Sequence, residues 1–187
     1  MKAPSEKHLE DWLFEDANRL PNAACCFGRN DFNVYRQLQL SSGILDLLYI
    51  EDDSMTVVEL KKGEIDAYAL TQILRYIGDL KIVWEECVGE ISCSPEYLAS
   101  NPPRYHGGLK VSGILIGYKC SNQVMVAAEA ANVGVMKYEY DGTNYEIDWD
   151  YHDYRWNQAN PLIYSDIGDA MVRMARNFMK KIRYNGA

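Results

Sequence analysis

Apolar and polar positions recur in two periods along this chain, and the switches between them mark out its elements. Residues 5–20, SEKHLEDWLFEDANRL, carry Leu9, Trp12, Leu13 and Leu20 on approximately one helical face; Ser5 stands as an N-cap and Pro21-Asn22 as the stop. Residues 31–40, 43–50 and 55–61 alternate or run apolar with β-branched and aromatic content, which predicts three strands in a meander that Gly63 ends. Helical period returns over 65–87 through Leu70, Ile73, Leu74, Ile77 and Leu80. Residues 89–108 are rich in proline and glycine and read as a long loop or a partly helical excursion. LKVSGILIGY at 109–118 reads as a buried strand, Ser121 as the cap of a short helix, and VGVMKYEY as a closing strand. The order αβββαβαβ predicts a mixed α/β sheet with helices on both faces.

Charges interrupt this pattern where they are most costly. Asp46 lies inside one apolar run and Glu59-Leu60-Lys61 ends the next. Ionised groups are expensive to bury unless paired or bound to a metal. Side chains alternate along a strand, so Glu59 and Lys61 share a face; if the two runs pair across Glu51-Asp52-Asp53-Ser54, Asp46 reaches it too. Two carboxylates and an ammonium on one spot make a site for Mg²⁺ or Mn²⁺, hard ions that prefer oxygen, and suit the cleavage of phosphodiesters. Each residue also has an ordinary explanation. Asp46 could cap a turn, and Glu59 and Lys61 could form an exposed strand pair contributing about a few tenths of a kcal/mol. The flanking runs are too apolar for an exposed edge, which favours the site.

On the next helix Gln72 can bond a water or a phosphate through either end of its amide. Arg75 and Tyr76, three and four residues on, share nearly the same face and suit phosphate contact or structural hydrogen bonding. Arg36, on the first strand, is a further candidate for a phosphate.

Together Gly43-x-x-Asp46-Leu47-Leu48, Val57-Val58-Glu59-Leu60-Lys61, Gln72-x-x-x-Tyr76 and the N-terminal Glu6-x-x-x-Glu10-x-x-Leu13 resemble the PD-(D/E)XK nuclease superfamily. Within it the chain is most similar to the branch of NucS/EndoMS-type and RecB-type nuclease domains. The likeness covers roughly residues 5–140; Leu45 stands where a proline often precedes the first acid. It implies a restriction-endonuclease-like αβββαβ core over 1–141, with 142–187 as an aromatic segment and C-terminal basic helix packed on the same domain. It implies a metal-dependent deoxyribonuclease, with Asp46, Glu59 and the Leu60 carbonyl as metal ligands. Glu10 supplies a further carboxylate, with Glu6 its competitor. Lys61 holds the attacking water and offsets transition-state charge, and Gln72 assists. The rival reading is a nuclease-fold binding or scaffolding module that works through a partner with little turnover.

Composition limits these readings. The 187 residues carry a formal charge of −8, which opposes a free-standing DNA binder unless basic groups cluster locally. One such cluster is Arg173, Arg176, Lys180, Lys181 and Arg183 on a helix predicted over 165–184, a phosphate-contacting, partner-docking or simply solvated face. DNA is the expected partner, with a homodimer or partner protein as a further expectation. Tyr145, Trp149, Tyr151, Tyr154 and Trp156 could stack single-stranded bases, though such clusters more often pack a terminal segment. No apolar run approaches the roughly 18 residues that span a bilayer, and the charged start MKAPSEKHLEDW is unlike a signal, so a cytoplasmic protein is expected. The 5 cysteines, Cys25, Cys26, Cys87, Cys93 and Cys120, and the scattered His8, His106 and His152 match no zinc spacing. There is no Gly-rich phosphate loop and no Gly-x-Ser-x-Gly elbow.

Overall fold

The runs that read as wholly apolar become the centre of a sheet. The computed structural model describes residues 5–16, 19–20, 33–51, 54–92 and 110–149. Expectations placed on Cys25, Cys26 and Cys93, on the loop beyond Ser92, on Tyr151, Tyr154 and Trp156, and on the basic helix with Arg173 and Arg176 lie outside the described residues.

The elements are α1 (Glu6–Glu15), β1 (Asn33–Leu40), β2 (Gly43–Glu51), β3 (Ser54–Leu60), β4 (Glu64–Ile65), α2 (Ala67–Ser92), β5 (Lys110–Gly117), β6 (Lys119–Cys120), α3 (Asn122–Ala130), β7 (Val133–Tyr140) and β8 (Tyr145–Trp149). Six strands form one sheet in the order β1-β2-β3-β5-β7-β8; β4 and β6 pair separately. The β1–β2–β3 meander is antiparallel, β3, β5 and β7 are parallel, and β8 returns antiparallel to β7. Parallel neighbours need crossovers, and α2 and α3 supply them. This is the mixed sheet flanked by helices that the sequence pattern predicts.

Two apolar layers cover the sheet. On one face Ala69, Leu70, Ile73, Tyr76 and Leu80 of α2 and Ala128 of α3 meet Leu45, Leu48, Val57, Leu115 and Val135. On the other, Leu9 and Leu13 of α1 meet Leu47, Tyr49, Val58, Leu60, Ile114 and Met136. Leu9 and Leu13 are fully buried, and each such leucine contributes about 1.5–3 kcal/mol of transfer free energy. Gly113 lets α2 lie close on β5, since a Cβ there would stand 2.8 Å from the Ile73 side chain.

Three differences from the sequence pattern matter. Helix α1 starts where predicted, with the Ser5 hydroxyl accepting from His8 N, but it ends at Glu15; Asp16 is extended, and Arg19 turns back to donate to the Trp12 carbonyl. Leu20 is still buried, so the apolar spacing reported its burial and not its helicity. Helix α2 begins two residues later than predicted, after β4, with Asp66 Oδ1 accepting from Ala69 N at 2.8 Å, and it runs on to Ser92. Strand β8 was not foreseen: the change of composition after Asp141-Gly142 is a hairpin that keeps the chain in the same sheet. Its Tyr145 packs against Trp12, Tyr138 and Tyr140. Among the described residues, no helix is long and apolar enough to cross a membrane.

Candidate functional site

The site lies where β2 and β3 part. Their ladder runs from Glu51↔Ser54 to Leu47↔Val58 and stops there. Beyond it the Leu60 N–H is taken by the Asp46 carboxylate, Oδ2 at 2.8 Å. Asp46 thus stitches two strands at the point where their backbones separate. Glu59 follows the regular alternation of β3, two residues on from Val57, and is 2% exposed. Lys61 Nζ donates to Glu59 Oε1 at 2.8 Å, so these side chains share a face as the spacing predicts.

A relay of hydrogen bonds holds Lys61. Its Nζ also donates to Gln72 Oε1 at 3.2 Å; Gln72 Nε2 donates to the Tyr76 hydroxyl at 2.8 Å; that hydroxyl donates to the Ile44 carbonyl at 2.7 Å. Gln72 and Tyr76 lie one turn apart on α2, so one helical face presents both. Tyr76 is 1% exposed, and of the two roles open to it, phosphate contact or structural hydrogen bonding, its burial and its bonds to Gln72 and Ile44 fit the second: it is a buried strut. Gly43, at the head of β2, makes room for it. A Cβ at Gly43 would stand 2.9 Å from the tyrosine oxygen, and the φ of +147° at Gly43 disfavours any side chain.

From the other face, α1 brings Glu6 and Glu10 to opposite ends of the site. Glu10 is 7% exposed and accepts from Gln37 Nε2 at 2.7 Å; the same nitrogen lies 3.5 Å from Asp46 Oδ1. Glu6 is exposed and accepts from the Lys62 backbone N–H at 2.9 Å, nearer the lysine end. Arg36 Nη1 meets Asp11 at 2.8 Å and its Nε lies 3.8 Å from Glu10 Oε1, so its guanidinium is engaged in fastening α1 to the sheet. Arg75 stands exposed on α2.

Burial and mutual repulsion set the protonation of this group. Burial, then the charge of Asp46, pushes Glu59 up to about 7 against the pull of Lys61. Burial also raises Asp46, although the Leu60 N–H favours its ionised form. Burial would lower Lys61, but the hydrogen bond and charge of Glu59 prevail and hold it above the usual lysine value. Lys61 is therefore a cation across the physiological range and an unsuitable general base. One atom is left over: Glu59 Oε2 is buried and has no hydrogen-bond partner among the described residues. An orphaned carboxylate oxygen beside a second raised carboxylate fits a hard divalent cation. As placed, however, no group of three His, Cys, Asp or Glu side chains among the described residues closes on a single point. Lys61 occupies one oxygen of Glu59, and Gln37 reaches both Glu10 and Asp46.

Gln37 is the participant that the sequence reading missed. Its φ is +51°, in the middle of β1. The visible signal is a slip in alternation, the successive polar residues Arg36-Gln37. Tyr35 and Leu38 pack on the α2 side although they are three positions apart and regular alternation would put them on opposite faces, while Val34 packs on the α1 side. Opposite, Leu45 and Leu48 share the α2 side in the same way. Both strands thus change faces at Gln37 and Asp46, while the register on either side continues, Arg36↔Leu47 and Leu38↔Leu45.

No protein-family model matches the chain. Over 63 residues, 33% of the chain, it is 33% identical to Endonuclease NucS of Pyrococcus horikoshii and of Pyrococcus abyssi, and it spans 25% of the length of each. Its fold matches that of EndoMS in a complex with double-stranded DNA at a TM-score of 0.50 and 20% identity, over 73% of this chain and 45% of that one. The chain is thus similar to Endonuclease NucS in sequence over that shared third and to EndoMS in fold over most of its length.

Proposed function

We propose that this chain is the nuclease part of a metal-dependent DNA phosphodiester hydrolase. The observation that carries the reading is the parting of β2 and β3 around Asp46, Glu59 and Lys61, with one buried carboxylate oxygen left for a ligand. Asp46 and Glu59, with the Leu60 carbonyl between them and Glu10 from α1, would hold Mg²⁺ or Mn²⁺. When bound, such an ion acidifies a water and offsets charge building on phosphorus. Lys61, kept charged and aimed by Gln72, orients that water and shares the transition-state charge. The relay through Tyr76 fixes the aim, and the α1 ion pairs hold Glu10 at the sheet. NucS and EndoMS are endonucleases by name, and the EndoMS complex contains double-stranded DNA, which supports DNA as the substrate class.

One observation favours the rival reading of a nuclease-fold binding module: a net charge of −8 opposes unaided DNA binding. A cleavage assay separates the two. The expected result is DNA cleavage with Mg²⁺ or Mn²⁺ that EDTA, Asp46→Ala and Glu59→Ala each abolish. Lys61→Ala should abolish cleavage while leaving Mn²⁺ binding intact or slightly tighter, since removing a cation helps a dication bind. Cleavage that continues in EDTA, or at the wild-type rate in Lys61→Ala, would overturn the reading. DNA binding without turnover under all conditions would favour the module.

A further inference from the structure

We propose that Gln37 is a positioning residue that acts as a placeholder: its amide bridges Glu10 and Asp46 while the site is metal-free and gives up that place when a divalent cation binds. The inference rests on the reading of this site as a metal centre and adds a residue that the Asp…Glu-x-Lys pattern does not contain.

The first argument is geometric. One nitrogen reaches Glu10 Oε2 at 2.7 Å and Asp46 Oδ1 at 3.5 Å, so a single neutral group holds carboxylates contributed by α1 and β2. No other side chain among the described residues does this. Arg36 lies on the remaining oxygen of Glu10 and on Asp11, and Lys61 lies on Glu59. The second argument is conformational. A glutamine at φ +51° is uncommon and strained, and the β1–β2 register is continuous on both sides, so no extra residue has to be accommodated. What the left-handed turn achieves is to aim the side chain at Glu10 and Asp46. The third is chemical. An amide NH₂ offers two donors and no net charge. It can hold like-charged carboxylates together without neutralising them, and it competes with a dication far less than a lysine or arginine would.

The test is Mn²⁺ binding to the full chain, by titration calorimetry or by loss of the free-ion paramagnetic resonance signal, at one fixed pH. Gln37→Leu removes the amide and leaves an apolar side chain one atom shorter. It should bind Mn²⁺ roughly tenfold more tightly, because the ion no longer displaces a charge-assisted hydrogen bond. Without metal it should melt lower by roughly 3 °C, and saturating Mn²⁺ should erase that difference. Gln37→Gly relaxes the backbone at φ +51° and so guards against misfolding of the leucine variant; it should show the same tightening. If the wild type binds Mn²⁺ and both variants bind it equally or more weakly, the placeholder is overturned and the metal site stands. If neither wild type nor variants take up Mn²⁺, or if Asp46→Ala leaves uptake unchanged, the metal centre is overturned and the placeholder with it.

Discussion

Glu59 concentrates the electrostatic cost of this molecule in one side chain. Burial and Asp46 raise its carboxyl from the usual 4.5 to about 7, and one of its oxygens faces no donor among the described residues. A raised carboxyl binds its proton more tightly folded than unfolded. Its contribution to stability is therefore full below about pH 4.5 and is lost as the pH climbs through about 7. Metal-free protein in EDTA should accordingly melt at falling temperature between those values, and Glu59→Gln should flatten the slope. A wild-type melting temperature that rises across the window would assign the cost elsewhere. At this scale the sequence was a good guide to the charged groups, because Asp46, Glu59 and Lys61 each interrupt an apolar run. It was a poor guide to Gln37, whose role depends on a φ of +51° that no residue-type preference announces. Nor did it separate Tyr76 the phosphate contact from Tyr76 the strut, since a phenol serves either and only its burial decides.

At the scale of elements, the site is made by a helix pinned to a strand that has come loose from its neighbour. The α2 face carrying Gln72 and Tyr76 replaces, with side chains, the hydrogen bonding that β2 and β3 cease to make beyond Leu47↔Val58. Tyr76→Phe leaves the packing intact and deletes the hydroxyl that serves Ile44 and Gln72. It should cost about 0.5–1.5 kcal/mol of stability by removing the hydrogen bond to the part-buried Ile44 carbonyl, and lower cleavage through Lys61 without weakening Mn²⁺ binding. Denaturant melts beside a metal titration check both halves; a fall in Mn²⁺ affinity as large as the fall in rate would mean the strut supports the ligands and not the lysine. Most elements were legible because buried strands read as apolar runs and crossover helices as a change of period. Strand β8 escaped although Tyr145 and Ile147 alternate with Glu146 and Asp148 in the expected way. The sequence pattern sets a border at Asp141-Gly142, whereas Asp141 Oδ1 accepts from Thr143 N and Asn144 N to close a hairpin.

For the whole molecule, the carboxylates come from both sides of the sheet, so no single layer contains the site. Glu6 and Glu10 arrive only if α1 is docked, and that docking rests on Leu9 and Leu13 with help from Arg36. Leu13→Ala should remove about 2–5 kcal/mol. Well below its melting temperature the variant should also bind Mn²⁺ more weakly than wild type, because the helix that carries Glu10 is held less firmly. Unchanged affinity in a folded Leu13→Ala protein would mean that Asp46 and Glu59 suffice without α1. Gly43 shows how far such dependence reaches. It opens β2, directly after the turn from β1, and has no chemistry of its own. Yet a methyl group there would strike the hydroxyl of Tyr76, and through it Gln72 and the ammonium of Lys61. Positions 43, 61, 72 and 76 are therefore joined by one chain of contacts and should tolerate substitution together, not singly. A side chain at Gly43 would require the strut to shift, so a survey of tolerated substitutions should find this candidate site sensitive to change well outside its charged residues.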